Sequence, residues 1–69
     1  MRIFESRSGL YPRTRHVAVV GEYDHDNIVY NEGYSMGCSI LFDSRRFVMS
    51  KQELNENFER CEKDDSRYL

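Results

Sequence analysis

The sequence predicts an α+β fold: a small antiparallel three- or four-stranded sheet with one C-terminal helix packed on one face. Three observations carry this. Met49-Ser50-Lys51-Gln52-Glu53-Leu54 has the form of a capping box: Ser50 can accept from the N–H of Glu53, Glu53 can reach back to the N–H of Ser50, and Met49 can pack on Leu54 as a hydrophobic staple. Before the box, apolar residues alternate with the period of a strand. After it, Leu54, Phe58 and Cys61 recur at i, i+4 and i+7, the stripe of an amphipathic helix.

The elements follow in order. Ile3 and Phe4 form an apolar patch that predicts an edge strand over 2–5. Gly9 and Pro12 mark 5–15 as loop, and Pro12 excludes a central strand there. Val17, Val19 and Tyr23 alternate with Ala18, Val20 and Glu22, predicting a central strand over 16–23. Asp24-His25-Asp26-Asn27 supplies turn chemistry, since Asp and Asn side chains bond locally to backbone. Ile28, Val29 and Tyr30 make the return strand over 28–31, and Asn31-Glu32-Gly33 signals a second turn. Met36, Cys38, Ile40 and Phe42 predict a strand over 36–42, and Phe47 and Met49 a short one over 45–49. Short turns between neighbours imply antiparallel pairing. The helix is expected over 51–63, with Glu56–Arg60 and Glu59–Lys63 pairs on its wet side, and 64–69 as a frayed tail.

Sixty-nine residues predict one domain with a small core. No apolar run approaches the ~20 residues needed to cross a bilayer, so no membrane partner is expected. Met1–Arg7 lacks the apolar stretch of a signal peptide, which predicts a cytoplasmic protein. Cys38 and Cys61 read as buried free thiols in that setting, with a sheet-to-helix disulfide as the alternative. The net charge is −2 but unevenly spread: Arg2, Arg7, Arg13 and Arg15 make the first segment basic, while Glu22, Asp24, Asp26, Glu32 and Asp43 make the middle acidic. Such asymmetry speaks to association rather than fold.

Motifs that carry chemistry are scarce. His16, His25, Cys38 and Cys61 are zinc-ligand types without zinc-ligand spacing. Asp24-His25-Asp26 is the densest polar cluster and reads as a solvated turn. No nucleophile elbow is present. Gly9, Gly21, Gly33 and Gly37 fit no phosphate-binding pattern and read as turn, bulge and close-approach positions. A chain this short builds little of a cleft, so the sequence points to a non-enzymatic protein without cofactor or metal.

Two binding readings remain. An arginine edge of Arg7, Arg13, Arg15, Arg45 and Arg46, with Tyr11 for stacking, would suit nucleic acid because guanidinium binds phosphate bidentately. The net acidic charge runs against it. The favoured reading is a protein partner. Tyr11, Tyr23, Tyr30 and Tyr34 group around the expected hairpin, and Tyr and Arg are enriched in interface hot spots. The candidate partner-binding residues are therefore Tyr23, Tyr30, Tyr34, Arg45 and Arg46, with Glu53, Glu56 and Glu59 as an acidic helix face. Self-association as a homodimer through a sheet edge is a third possibility beside a monomer.

The paired strands His16–Tyr23 and Ile28–Tyr30, then Gly33-Tyr34 with Cys38 shortly after, then Met49–Leu54 ending in Phe58 and Glu59, resemble the short accessory proteins of tailed phages and prophages. The resemblance covers about two thirds of the chain and brings no catalytic residues with it. It implies a viral protein, acting in the host cytoplasm, that binds and inhibits or modulates a host protein complex. Transcription, restriction and CRISPR machinery are the target classes this implies, the last as an anti-CRISPR.

Overall fold

The computed structural model describes residues 2–36, 39–61 and 66–68, the last three by their main chain. Among these residues seven strands form one sheet: β1 (Arg2–Ser6), β2 (His16–Glu22), β3 (Asn27–Met36), β4 (Ser39–Phe42), β5 (Phe47–Ser50), β6 (Phe58–Arg60) and β7 (Ser66–Tyr68). A single short helix, α1 (Lys51–Asn57), lies between β5 and β6. The strand order is β6-β1-β2-β3-β4-β7, with β5 paired to β3 beside β4. All pairings are antiparallel except β4 with β7. The expected α+β architecture of three or four strands under a C-terminal helix is therefore corrected: the chain is mostly sheet, and its helix is short and not terminal.

The helix begins as the capping box dictates. Ser50 is the N-cap, and its Oγ accepts from the N–H of Glu53 at 3.0 Å. Met49 and Leu54 are buried in one cluster. Ser50→Ala is expected to lower stability by about 1 kcal/mol through this lost cap, read as a shifted midpoint in urea denaturation with an unchanged slope.

The helix does not reach 63 as expected. Asn55 and Asn57 are weak helix formers, and at Phe58 the backbone turns extended (φ −129, ψ 155) while its N–H still donates to the Leu54 carbonyl. The freed carbonyls are met from outside the helix. Arg7 donates from Nε to the Glu56 carbonyl and from Nη2 to that of Asn55, and its main-chain N–H donates to Asn57. A cation at a helix C-terminus also opposes the helix dipole. The chain then pairs with β1, Ser6 opposite Phe58 and Phe4 opposite Arg60. Three residues apart on a helix share a face, whereas on extended chain they face opposite ways. Accordingly Phe58 and Cys61 enter different cores. The expected helical pairs are also replaced: Glu56 accepts from Gln52 and Glu59 pairs with Arg7, while Lys63 lies outside the described residues.

The sheet has apolar groups on both faces. One face carries Val17, Val19, Ile28, Tyr30, Met49, Leu54 and Phe58, with Phe4 and Tyr11 packed against them. The other carries Ile3, Ala18, Ile40, Phe42 and Cys61. The alternation Val17–Ala18–Val19 feeds both, so β2 sits between the two cores. Cys61 is a buried free thiol, and Cys38 lies outside the described residues.

Strand β3 runs through the expected turn at Asn31-Glu32-Gly33. Asn31 and Gly33 are buried within it, and Gly33 pairs with His16 on one side and Phe42 on the other. A Cβ at Gly33 would lie 2.5 Å from the Phe42 ring. The glycine is there for close approach, not to reverse the chain. The sheet folds over at this place. β2 and β4 have Cα atoms within 8 Å although β3 lies between them, closer than the ~9.5 Å of a flat three-strand spacing.

β4 and β5 lie end to end along the same edge of β3 and replace the expected strands 36–42 and 45–49. Phe42 pairs with Gly33 and Phe47 with Tyr30, so Asp43 to Arg46 bulges out opposite Asn31 and Glu32. Asp43 anchors the bulge: its N–H donates to the Glu32 carbonyl and its Oδ1 accepts from the N–H of Arg45. The expected turn after β2 forms as its residues suggest, with Asp24 Oδ1 accepting from the Asp26 N–H and Asn27 Nδ2. These bonds, that of Asn27 first, hold the Asp24 carboxyl below its ordinary pKa. The expected frayed tail is corrected where it is described: Ser66–Tyr68 pairs with β4.

Candidate interaction surface

The candidate residues are dispersed over the molecule. Tyr34 lies at the far end of β3, half exposed. Its side chain shares a face with that of Met36, two residues on, and with that of its cross-strand partner Leu41. Met36 is 59% exposed, and α1, which packs near the opposite end of β3, does not cover this area. Arg45 stands beside the strip. Asp43 raises its pKa above the ordinary value, and the Tyr34 phenol adds to the effect. The Arg45 guanidinium donates from Nε and Nη2 to Asp43 Oδ2 at 3.2 and 3.1 Å. Reciprocally, Arg45 holds the Asp43 carboxyl below its usual range. Tyr34, Met36, Leu41 and Arg45 thus form an apolar strip with a cationic border.

Tyr23 is exposed at the other end of the molecule, on the turn into β3. About seven residues of strand separate Asn27 from Tyr34, roughly 23 Å at ~3.3 Å per residue. The expected tyrosine cluster is not formed. Tyr30 is corrected outright. It is buried in the core, its ring 5.8 Å from that of Phe47, and offers no aromatic surface. Period-two alternation puts Tyr30 and Tyr34 on the same face, but Tyr30 lies within the cluster of Val19, Met49, Leu54 and Phe58 and against the Phe47 ring, while Tyr34 lies outside it.

Glu53 and Glu56 are exposed on α1, but Glu59 is on β6, paired with Arg7 at 3.5 Å. The expected three-residue acidic helix face therefore has two members.

The arginine edge is likewise divided. Arg7 caps α1. Arg15 makes a two-pronged bond to Glu32, Nη2 to Oε1 at 2.9 Å and Nε to Oε2 at 3.3 Å. It also lies over the rings of Tyr11 and Phe58 at 4.9 and 5.3 Å. Glu32, through this bond, raises the Arg15 pKa, so Arg15 and Glu32 act as a structural pair that ties the loop to the sheet. Arg45 is engaged by Asp43. Among the described residues Arg13 and Arg46 have no carboxylate partner.

Arg13 lines an open groove of about 590 Å³ with Thr14, His16, Tyr34 and Ser35, and Glu5 and the Arg15–Glu32 pair are also in its wall. Sequence reasoning missed Met36, Leu41 and Ser35. Their role depends on how far β3 overruns its neighbours, which composition and periodicity do not encode. Among the described residues no cluster of three or more His, Cys, Asp or Glu is placed to hold a metal ion, and no helix is long and apolar enough to cross a membrane. In comparison with known proteins, no protein family, no curated protein and no solved structure matches this chain.

Proposed function

We propose that this chain is a non-enzymatic protein-interaction module that engages its partner through the strip of Tyr34, Met36 and Leu41 bordered by Arg45. The observation that carries the reading is the exposure of Tyr34 and Met36 side by side on one face of β3. Exposed apolar groups gathered in one place and rimmed by charge mark contact surfaces more often than scattered ones. An aromatic ring beside an arginine is the composition of an interface hot spot. The resemblance to phage accessory proteins gives the context: a host protein or complex is the partner, and occupying its surface is the means of inhibition or modulation.

The engagement of Arg7 by helix carbonyls and of Arg15 by Glu32 favours a protein partner over the arginine-edge reading, because those two cations are committed within the fold. Tagged protein is incubated with lysate of a bacterial host, and what it retains is compared with what Tyr34→Ala and Arg45→Glu variants retain. A species held by the parent and lost from both variants is expected. Retention unchanged by both, or none at all, overturns the proposal. Binding to nucleic acid that falls steeply with salt would favour the arginine-edge alternative.

A further inference from the structure

We infer that the groove beside Tyr34 is a docking slot for the C-terminal end of an extended peptide, its terminal carboxylate taken by Arg13. The inference rests on the interaction-module reading and names the chemistry of the partner segment.

On a strand, successive residues turn their N–H and C=O to alternate edges. The carbonyls of Asp26 and Glu32 accept from Lys51 and Asp43, on the β5 and β4 side. The carbonyl of Asn27 accepts from Tyr23, on the β2 side. Odd-numbered residues of β3 therefore face β2, and Ser35 is among them. β2, however, begins at His16, opposite Gly33. Arg15, just before it, directs its main chain to β1, its N–H to Ser6 Oγ and its carbonyl to the Ser6 N–H. Among the described residues no main-chain bond from the segment before β2 reaches Ser35. The main-chain donor and acceptor of Ser35 are thus left on an open edge, and that edge lines the groove. An unpaired strand edge is a template for an added strand.

The walls say what kind of chain fits. An added strand lying along Ser35 meets the start of β2 at His16 and cannot continue in the sheet. A chain that ends there meets no obstacle. Paired antiparallel to β3, the added chain runs in the direction of β2, so the end that meets His16 is its C-terminus. Arg13, which has no carboxylate partner among the described residues, can take both oxygens of the terminal carboxylate. The flanking Tyr34 ring offers an apolar surface to the last side chains. Glu32 is engaged by Arg15. A single terminal carboxylate at Arg13 therefore faces one wall carboxylate without a cationic partner among the described residues, Glu5, whereas a phosphate backbone would bring a row of negative charges past it. The volume of about 590 Å³ lies within the range of ~300–1,000 Å³ common for ligand sites.

The test titrates the full chain, ¹⁵N-labelled, with a randomised hexapeptide pool in two forms, free acid and C-terminal amide, and with a mixed-sequence single-stranded DNA. The free-acid pool is expected to shift the amide signals of Ser35 and Arg13. Amidation is expected to weaken binding at least tenfold, and Arg13→Ala to do the same to the free-acid pool while the rest of the spectrum stays native. Arg13→Lys keeps part of the affinity, as a point charge without the bidentate fork. Equal binding of acid and amide, shifts confined to other residues, no shifts with either pool, or stronger binding of DNA at the same residues would each overturn the inference. If the groove takes no peptide while the Tyr34→Ala variant still loses a lysate partner, the groove assignment fails alone. If both experiments fail, the interaction reading falls with it.

Discussion

Phe58→Ala is expected to lower stability by roughly 3–5 kcal/mol, the range for deleting a buried aromatic ring. Phe58 is 1% exposed and belongs to the cluster formed by Val17, Val19, Ile28, Tyr30, Met49 and Leu54. Its ring is also the platform for Tyr11, 6.2 Å away, and for the Arg15 guanidinium. Truncation therefore opens a cavity and removes the surface on which the loop before β2 is laid down. Small domains sit near the lower end of the usual ~5–15 kcal/mol of folding stability, so the variant loses a large share of its folded population. Urea denaturation followed by far-ultraviolet circular dichroism measures the effect. A variant as stable as the parent would show that Phe58 is not in the core, and the account of β6 would fail with it.

Gly33→Ala is expected to destabilise by ~1–3 kcal/mol, the cost of overpacking. The sign is the informative part. In a strand with open space, replacing Gly by Ala stabilises by roughly 0.5–1 kcal/mol, because glycine loses the most freedom on folding. At Gly33 the new methyl would lie 2.5 and 2.7 Å from Phe42 ring carbons and 3.0 Å from Ile40 Cγ2. Phe42 is fully buried and has little room to move. A second substitution isolates the cause: Phe42→Leu removes the ring, so Gly33→Ala should cost markedly less in that background than in the parent. Such non-additivity is the signature of residues in contact. Equal costs in both backgrounds would place the strain elsewhere.

These two positions also show where the sequence was readable and where it was not. The capping box around Ser50 was legible because it is local: two side chains, three residues apart, decide it. The alternation of β2 was legible for the same reason. Phe58 was not, because Leu54 and Phe58 fit a helical stripe four residues apart while Phe58 and Cys61 fit alternate faces of a strand equally well. The choice is made by the open edge of β1 and by Arg7 at the helix end, both some fifty residues away in the chain. Gly33 misled for a related reason. Asn-Glu-Gly is turn chemistry in isolation, and only the arrival of Phe42 from the next strand makes it a site of close contact. At the candidate surface, the exposure of Tyr34 and the burial of Tyr30 follow from what covers each end of one face. The groove follows from β3 being longer than β2, a difference with no sequence signature of its own.

The pairing of Phe4 with Arg60 has a consequence for the order in which the molecule is made. β1 is synthesised before β6, yet its outer edge is satisfied only once the segment Phe58–Arg60 has been made and released. Until then β2 and β3 can pair as a hairpin, but the core beneath Phe58 stays open and the edge of β1 unfilled. Closing so long a span brings its reward late. Truncated chains that stop before Phe58 therefore present an unpaired strand and an uncovered apolar face together, the combination that quality-control proteases and chaperones bind most readily.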